Sequence, residues 1–138
     1  MKYIRDKNSN IPFSMHDSSI TEISFANGEL TFKLDKIFEY TNGEEKFYPA
    51  KIIFTEVDIE FCNVSVFDRA LTDGDFQGHR YPITEYMEKF KNAEFRVLTE
   101  GYSGYDKTFV GWIWREDLLV SGFINIWTKG DMIYDVEL

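Results

Sequence analysis

His16, Asp17 and Ser18 stand side by side, and His79 precedes Arg80; these are the residues best suited to chemistry. An imidazole beside a carboxylate could supply a base and its orienting partner, with Ser18 as the nucleophile. Adjacent side chains in an extended segment point apart, however. Asp and Ser also bond nearby backbone N–H groups to fix turns. The motif therefore predicts a turn that starts the fold, and no catalytic residue is assigned. His79 and Arg80 could hold an anion or join in acid–base work. Were His16 and His79 to meet beside Asp17 or Asp75, a two-His-carboxylate metal site would result. Asp73-Gly74-Asp75 lacks the further ligands of a calcium loop. No metal or cofactor is predicted.

Three other groups point to recognition. Glu56, Asp58 and Glu60 alternate with Val57, Ile59 and Phe61. On a straight strand such carboxylates stand roughly 6.6 to 7 Å apart along one face, too far to converge on a cation. They would instead meet a basic partner or simply face solvent. Gly101-Tyr102-Ser103-Gly104-Tyr105 has the composition of a recognition loop, with Tyr102 and Tyr105 supplying broad contact at low entropic cost. Trp112 and Trp114 share a strand face by their spacing. The expectation is that they line the core, because Trp is highly buried on average. The alternative is an aromatic platform for a small molecule or carbohydrate, with His79 and Arg80 as polar partners.

These residues need elements to position them, and the pattern is that of paired strands. Asn27-Gly28 and Asn42-Gly43 lie between alternating runs; both residue types tolerate positive φ, which suits the tight turn of a hairpin. Leu30, Phe32 and Leu34 alternate with polar neighbours, and adjacent Ile37 and Phe38 predict a bulge. A long β run is predicted from Phe47 to Phe67, with Ile53, Val57, Ile59 and Phe61 inward and a slip of phase near Cys62. Asp68 to Tyr81 reads as a connection. Ile83, Tyr86, Met87 and Phe90 recur at helical spacing, giving one short helix near 83–92 with Thr84 as N-cap. A hairpin about Arg115-Glu116-Asp117 follows, and a final strand places Met132, Tyr134 and Val136 on one face. The fold class is mainly β: an antiparallel meander forming a sandwich or partly open barrel of about eight strands. A single domain spans 1–138, with 1–10 frayed unless pinned.

His16-Asp17-Ser18-Ser19-Ile20, with the alternating hairpin through Leu34, resembles the opening of several families of small bacterial proteins. Some of these are similar to immunity proteins, which neutralise toxins made by the same or a neighbouring cell. The resemblance covers the first quarter of the chain. It implies a cytoplasmic binding protein rather than an enzyme, and it assigns no catalytic residue.

Composition narrows the partner. With 15 Lys and Arg against 24 Asp and Glu, the formal charge is −9. Phosphate neutralisation needs cationic side chains, so nucleic acid and anionic membranes are disfavoured, whereas a basic protein is favoured. Cys62 stands alone and reads as a small buried hydrophobe. No apolar run approaches the ~20 residues of a membrane span, and the amino terminus lacks a signal-peptide pattern, so the expected location is cytoplasmic. The functional readings rank as a non-enzymatic protein-binding domain first, an immunity-like neutraliser of a basic partner being its sharpest form. A small-molecule or carbohydrate binder is second, and a hydrolase or metal enzyme using His16, Asp17 and His79 is third.

Overall fold

A computed structural model describes residues 1–5, 11–68 and 77–138. The described residues form eleven strands of one antiparallel sheet and one short helix. Strands β1 (Lys2–Arg5), β2 (Phe13–Ser14), β3 (Ser19–Ala26), β4 (Glu29–Thr41) and β5 (Glu44–Phe54) come first. A 3₁₀ turn, Ile59–Phe61, leads into β6 (Asn63–Phe67) and β7 (Gly78–Pro82). Helix α1 (Ile83–Lys89) precedes β8 (Glu94–Ser103), β9 (Asp106–Arg115), β10 (Leu118–Trp127) and β11 (Met132–Val136). The order across the sheet is β1-β11-β5-β4-β3-β8-β9-β10-β6-β7, with β2 beside the far half of β4.

Both Asn-Gly pairs make the predicted turns. Asn27 and Gly28 have φ of 53° and 78°, and Asn42 and Gly43 of 56° and 77°, the double left-handed geometry that matches strand twist. Leu30, Phe32 and Leu34 face the core, and the β4–β5 register shifts between Leu34 and Ile37 as the bulge requires. The sheet curls until its faces meet. Phe32 and Phe54 on β4 and β5 both pack edge-on against Phe109 on β9, with ring centroids 5.5 and 6.2 Å apart. One continuous core results, including Met132, Tyr134 and Val136 of the last strand.

The structure departs from expectation in four places. Among the described residues there are eleven strands rather than about eight, and four pairings along the sheet (β1–β11, β11–β5, β3–β8, β10–β6) break the meander. The described amino-terminal residues meet the condition set for order, since Lys2 to Arg5 pair with Asp135 to Met132. The run from Phe47 to Phe67 is not one strand; β5 stops at Phe54, and its core face is Ala50, Ile52 and Phe54, with Ile53 half-buried on the other side. Helix α1 is shorter than predicted, with Pro82 rather than Thr84 at its N-cap and Phe90 leaving helical geometry. Finally, Gly78 to Pro82 form a strand, so His79 and Arg80 are not in a loop. Asp73, Gly74 and Asp75 lie outside the described residues. Among the described residues no helix is long and apolar enough to cross a membrane.

Candidate functional site: an acidic aromatic patch around Trp127

After Phe54 the chain is bound to a distant turn rather than continuing as strand. Thr55 N–H donates to the Asp131 carbonyl at 2.9 Å, and Asp131 N–H returns a bond to Thr55 Oγ1 at 2.8 Å. Thr128 Oγ1 donates to the Thr55 carbonyl. Locked in this way, Glu56 adopts a left-handed φ of 47°. Val57 then bridges Thr128, and its N–H reaches the Gly28 carbonyl at 3.0 Å. Asp58 opens the 3₁₀ turn, which throws Phe61 outward.

Three rings converge there. Trp127, half-buried at the end of β10, is met edge-on by Phe61 at 5.5 Å and by Tyr105 at 5.3 Å. Phe61 is 58% exposed and Tyr105 55%, so both present most of their rings to solvent. Lys129 Nζ lies 5.5 Å from the Trp127 ring. Beneath them Trp127 N–H donates to Cys62 Sγ at 3.3 Å. Burial pushes the Cys62 thiol pKa up; the Trp127 N–H opposes this, and the charges of Asp58 and Asp106 add to it. Asp58 N–H donates to the Trp127 carbonyl at 3.3 Å, Asp106 stands opposite Trp127 across the β9–β10 pair, and Glu60 is exposed in the 3₁₀ turn. Aromatic faces attract cations and carboxylates pair with them, so this surface is suited to Lys and Arg side chains.

The predicted partner-binding residues are thereby rearranged. Glu56, Asp58 and Glu60 do not form a ladder on one strand face, because the segment is a turn. Asp58 and Tyr105 do meet at Trp127, while Tyr102 parts from Tyr105. The Tyr-Gly segment is a tight hairpin turn at Gly104 (φ 59°), not an open loop. Trp127 and Phe61 escaped the sequence reading. The turn residues Thr128 to Asp131 mark a strand end at Trp127, but nothing local pairs it with Phe61.

Tyr102 points inward and joins a part-buried polar chain. Its hydroxyl donates to Glu100 Oε1 at 2.8 Å, and Arg5 lies over its ring at 4.2 Å. Arg5 Nε donates to Tyr134 Oη at 2.7 Å. The other Glu100 oxygen accepts from Met15 N–H at 3.1 Å and Ser14 Oγ at 3.2 Å. Burial drives the Tyr102 and Tyr134 pKa values up; the adjacent Glu100 charge reinforces both, and Arg5 pulls Tyr134 back. The chain ties β1 and β11 to β8, strands that are not neighbours in the sheet.

The remaining candidates separate. Trp112 and Trp114 do not line the core: the inner positions of β9 are Phe109, Gly111 and Ile113. Both Trp side chains face outward, Trp114 beside exposed Leu119, which keeps the platform geometry. His79 and Arg80 sit on β7, three strands from β9 and hence about 14 Å away at ordinary strand spacing. His79 lies against Tyr81 at 4.3 Å, and Arg80 is exposed. His16 Nδ1 and Asp17 Oδ2 are 3.1 Å apart, each about half exposed. Ser18 is fully buried, and its hydroxyl has no hydrogen-bond partner among the described residues. The triad does not assemble; the motif instead makes a turn, with Asp17 (φ 69°) donating to the Val97 carbonyl at 2.8 Å. Among the described residues no group of three His, Cys, Asp or Glu could hold a metal. No protein-family model, curated protein or solved structure matches this chain.

Proposed function

We propose that this chain is a non-enzymatic protein-binding domain whose docking surface is the patch around Trp127, and that its partner is basic. The observation that carries this reading is one half-buried Trp flanked by two largely exposed rings, with Asp106 opposite it across the β9–β10 pair and Asp58 bonded to its carbonyl through its N–H. Aromatic residues dominate binding energy at interfaces, and a net charge of −9 steers a cationic partner toward encounter. The resemblance of the opening residues to immunity-like proteins points to a basic toxin as the sharpest version. The residues of the hydrolase reading stand apart, which leaves it without support. The outward Trp112–Trp114 pair favours the small-molecule reading only as a second choice.

The test uses the partner that the wild-type chain retains from its native cell, with affinity measured by surface plasmon resonance. Phe61→Ala with Tyr105→Ala should weaken binding at least tenfold, since truncated anchor rings cost about 2 kcal/mol or more. Asp58→Lys with Glu60→Lys should slow association, and 0.5 M salt should do the same to wild type. Unchanged affinity and association rate in both double variants would remove the patch from the binding surface.

A further inference from the structure

Strand β3 is paired on one side only along most of its length. Toward β4 its register runs to Ala26↔Glu29, whereas toward β8 only Ser19↔Arg96 and Ile20↔Phe95 are made. Strand β8 begins at Glu94, so beyond Ile20 no strand among the described residues pairs with this side of β3. Ala26 and Glu29 flank a two-residue turn and exchange hydrogen bonds, as does every second pair before them. The N–H and C=O groups of Ile23 and Phe25 therefore point away from β4, and no backbone partner meets them among the described residues. Their side chains face the core opposite Phe32 and Leu30, both fully buried, yet Ile23 and Phe25 are only half-buried. A strand is missing from their flank.

The missing place is a groove of about 640 Å³. Its far wall is the exposed side of α1 and the residues leading to β8, with Met87, Phe90 and Ala93 supplying apolar surface. Glu22 and Glu88 stand on opposite walls, with Lys91 as the one cation of the lining among the described residues. One end abuts the Trp127 patch, since Gly28 after β3 accepts from Val57, and Ile83 N–H donates to the Cys62 carbonyl at 3.0 Å.

We propose that this groove binds an extended segment of a partner protein, which adds to the free edge of β3 as a further strand. Its main chain bonds the free groups of Ile23 and Phe25, and its alternate apolar side chains fill the gap against Met87 and Phe90. A Lys or Arg between them meets Glu22 and Glu88. Unpaired strand groups dictate an extended backbone as the occupant, and the acidic excess of the two walls dictates its charge. The wall formed by α1 admits a slender chain where the sheet edge of a second copy, carrying its own helix, would be blocked. This inference goes beyond the Trp127 patch and stands independently of it.

The probe is a displayed library of random seven-residue peptides, selected on the wild-type chain. Binders should alternate apolar residues with Lys or Arg, and N-methylation of alternate amides should weaken them at least tenfold while methylation of the others does not. By NMR hydrogen exchange, the Ile23 and Phe25 amides should exchange fast in the free chain and become protected with peptide, while Ser24 and Ala26 are protected throughout. Glu22→Lys with Glu88→Lys, both exposed positions, should weaken binding about tenfold; Phe61→Ala with Tyr105→Ala should leave it unchanged. The proposal is overturned if no selected peptide protects these two amides. It is likewise overturned if they are already protected in the free chain, whether or not dilution exposes them. Octanoate that shifts the Ile23 and Met87 methyl signals, with peptides failing to compete, would make the groove a small-molecule site instead.

Discussion

Replacing Tyr102 by Phe removes one oxygen from the part-buried chain that links β8 to β1 and β11, and leaves the ring in place. The ring keeps its contact with Phe109 at 6.2 Å and its place under the Arg5 guanidinium. What disappears is the 2.8 Å bond to Glu100 Oε1, made within β8, and the hydroxyl's interaction with Tyr134 of β11. A hydrogen bond to a charged group contributes about 1.5–3 kcal/mol. Glu100 is partly exposed, so water replaces some of that, and the expected loss is about 1–2 kcal/mol. The other Glu100 oxygen retains Met15 and Ser14, so the carboxylate is not orphaned outright. Urea unfolding should show a lower midpoint at unchanged slope, because packing and compactness are preserved. A cycle with Glu100→Gln should give a coupling of at least about 0.5 kcal/mol, the signature of groups in one network. Tyr102→Phe within about 0.3 kcal/mol of wild type, together with additive double variants, would show that the Tyr102 hydroxyl contributes nothing to the polar chain.

Tyr86, Tyr102 and Tyr134 all have pKa values raised by burial, so the folded chain keeps their protons where the unfolded chain releases them. Their contribution is complete below the unfolded value near pH 10 and is lost as pH climbs above it, by about 1.4 kcal/mol per pH unit for each group. Urea midpoints measured from pH 9 to 11.5 should fall accordingly, and Tyr86→Phe should make the fall shallower; a flat profile would contradict the burial. Gly111→Ala would place its Cβ against the Arg96 carbonyl oxygen, with the Arg96 carbonyl carbon only 2.9 Å away, and backbone cannot rotate aside. The expected loss is about 3 kcal/mol, or roughly 10 °C in Tm by thermal unfolding, whereas Gly101→Ala, whose nearest neighbour is 3.9 Å away, should change Tm little.

The sequence was most legible where the cause is local. Asn-Gly needs no distant partner to favour a double left-handed turn, and both hairpins appear as read. Alternation also identified which side chains share a face, as in Leu30, Phe32 and Leu34. It does not say which face is inward, because a shift of one residue exchanges them. Hydrophobicity alone sent Trp112 and Trp114 inward, whereas Gly111 is the residue that allows β8 to approach. Nor does alternation show where a strand stops. Val57, Ile59 and Phe61 continue the period past Phe54, but Thr55 is captured by Thr128 and Asp131, more than seventy residues later. The Trp127 patch gathers Phe61, Tyr105 and Trp127 from three elements, so only the fold could assemble it.

How the chain treats its sheet edges sharpens the case for the groove. Unprotected edges invite pairing with other chains, and charge, Pro and short length are the usual protections. Strand β1, at one end of the sheet, is four residues long and carries Lys2 and Arg5. Strand β7, at the other end, is five residues long, carries Arg80 and closes on Pro82. The free stretch of β3 has neither Pro nor Lys and exposes a single Glu22, while Ile23 and Phe25 stand half-buried behind it. The two terminal edges carry the protections, whereas the free stretch of β3 carries an apolar groove and a helical wall. Since the free groups of Ile23 and Phe25 can be satisfied by water in solution, leaving them open costs little stability. An added strand would exchange that water for two pairs of backbone bonds and complete the burial of both side chains, and this contrast separates a binding edge from an unfinished one.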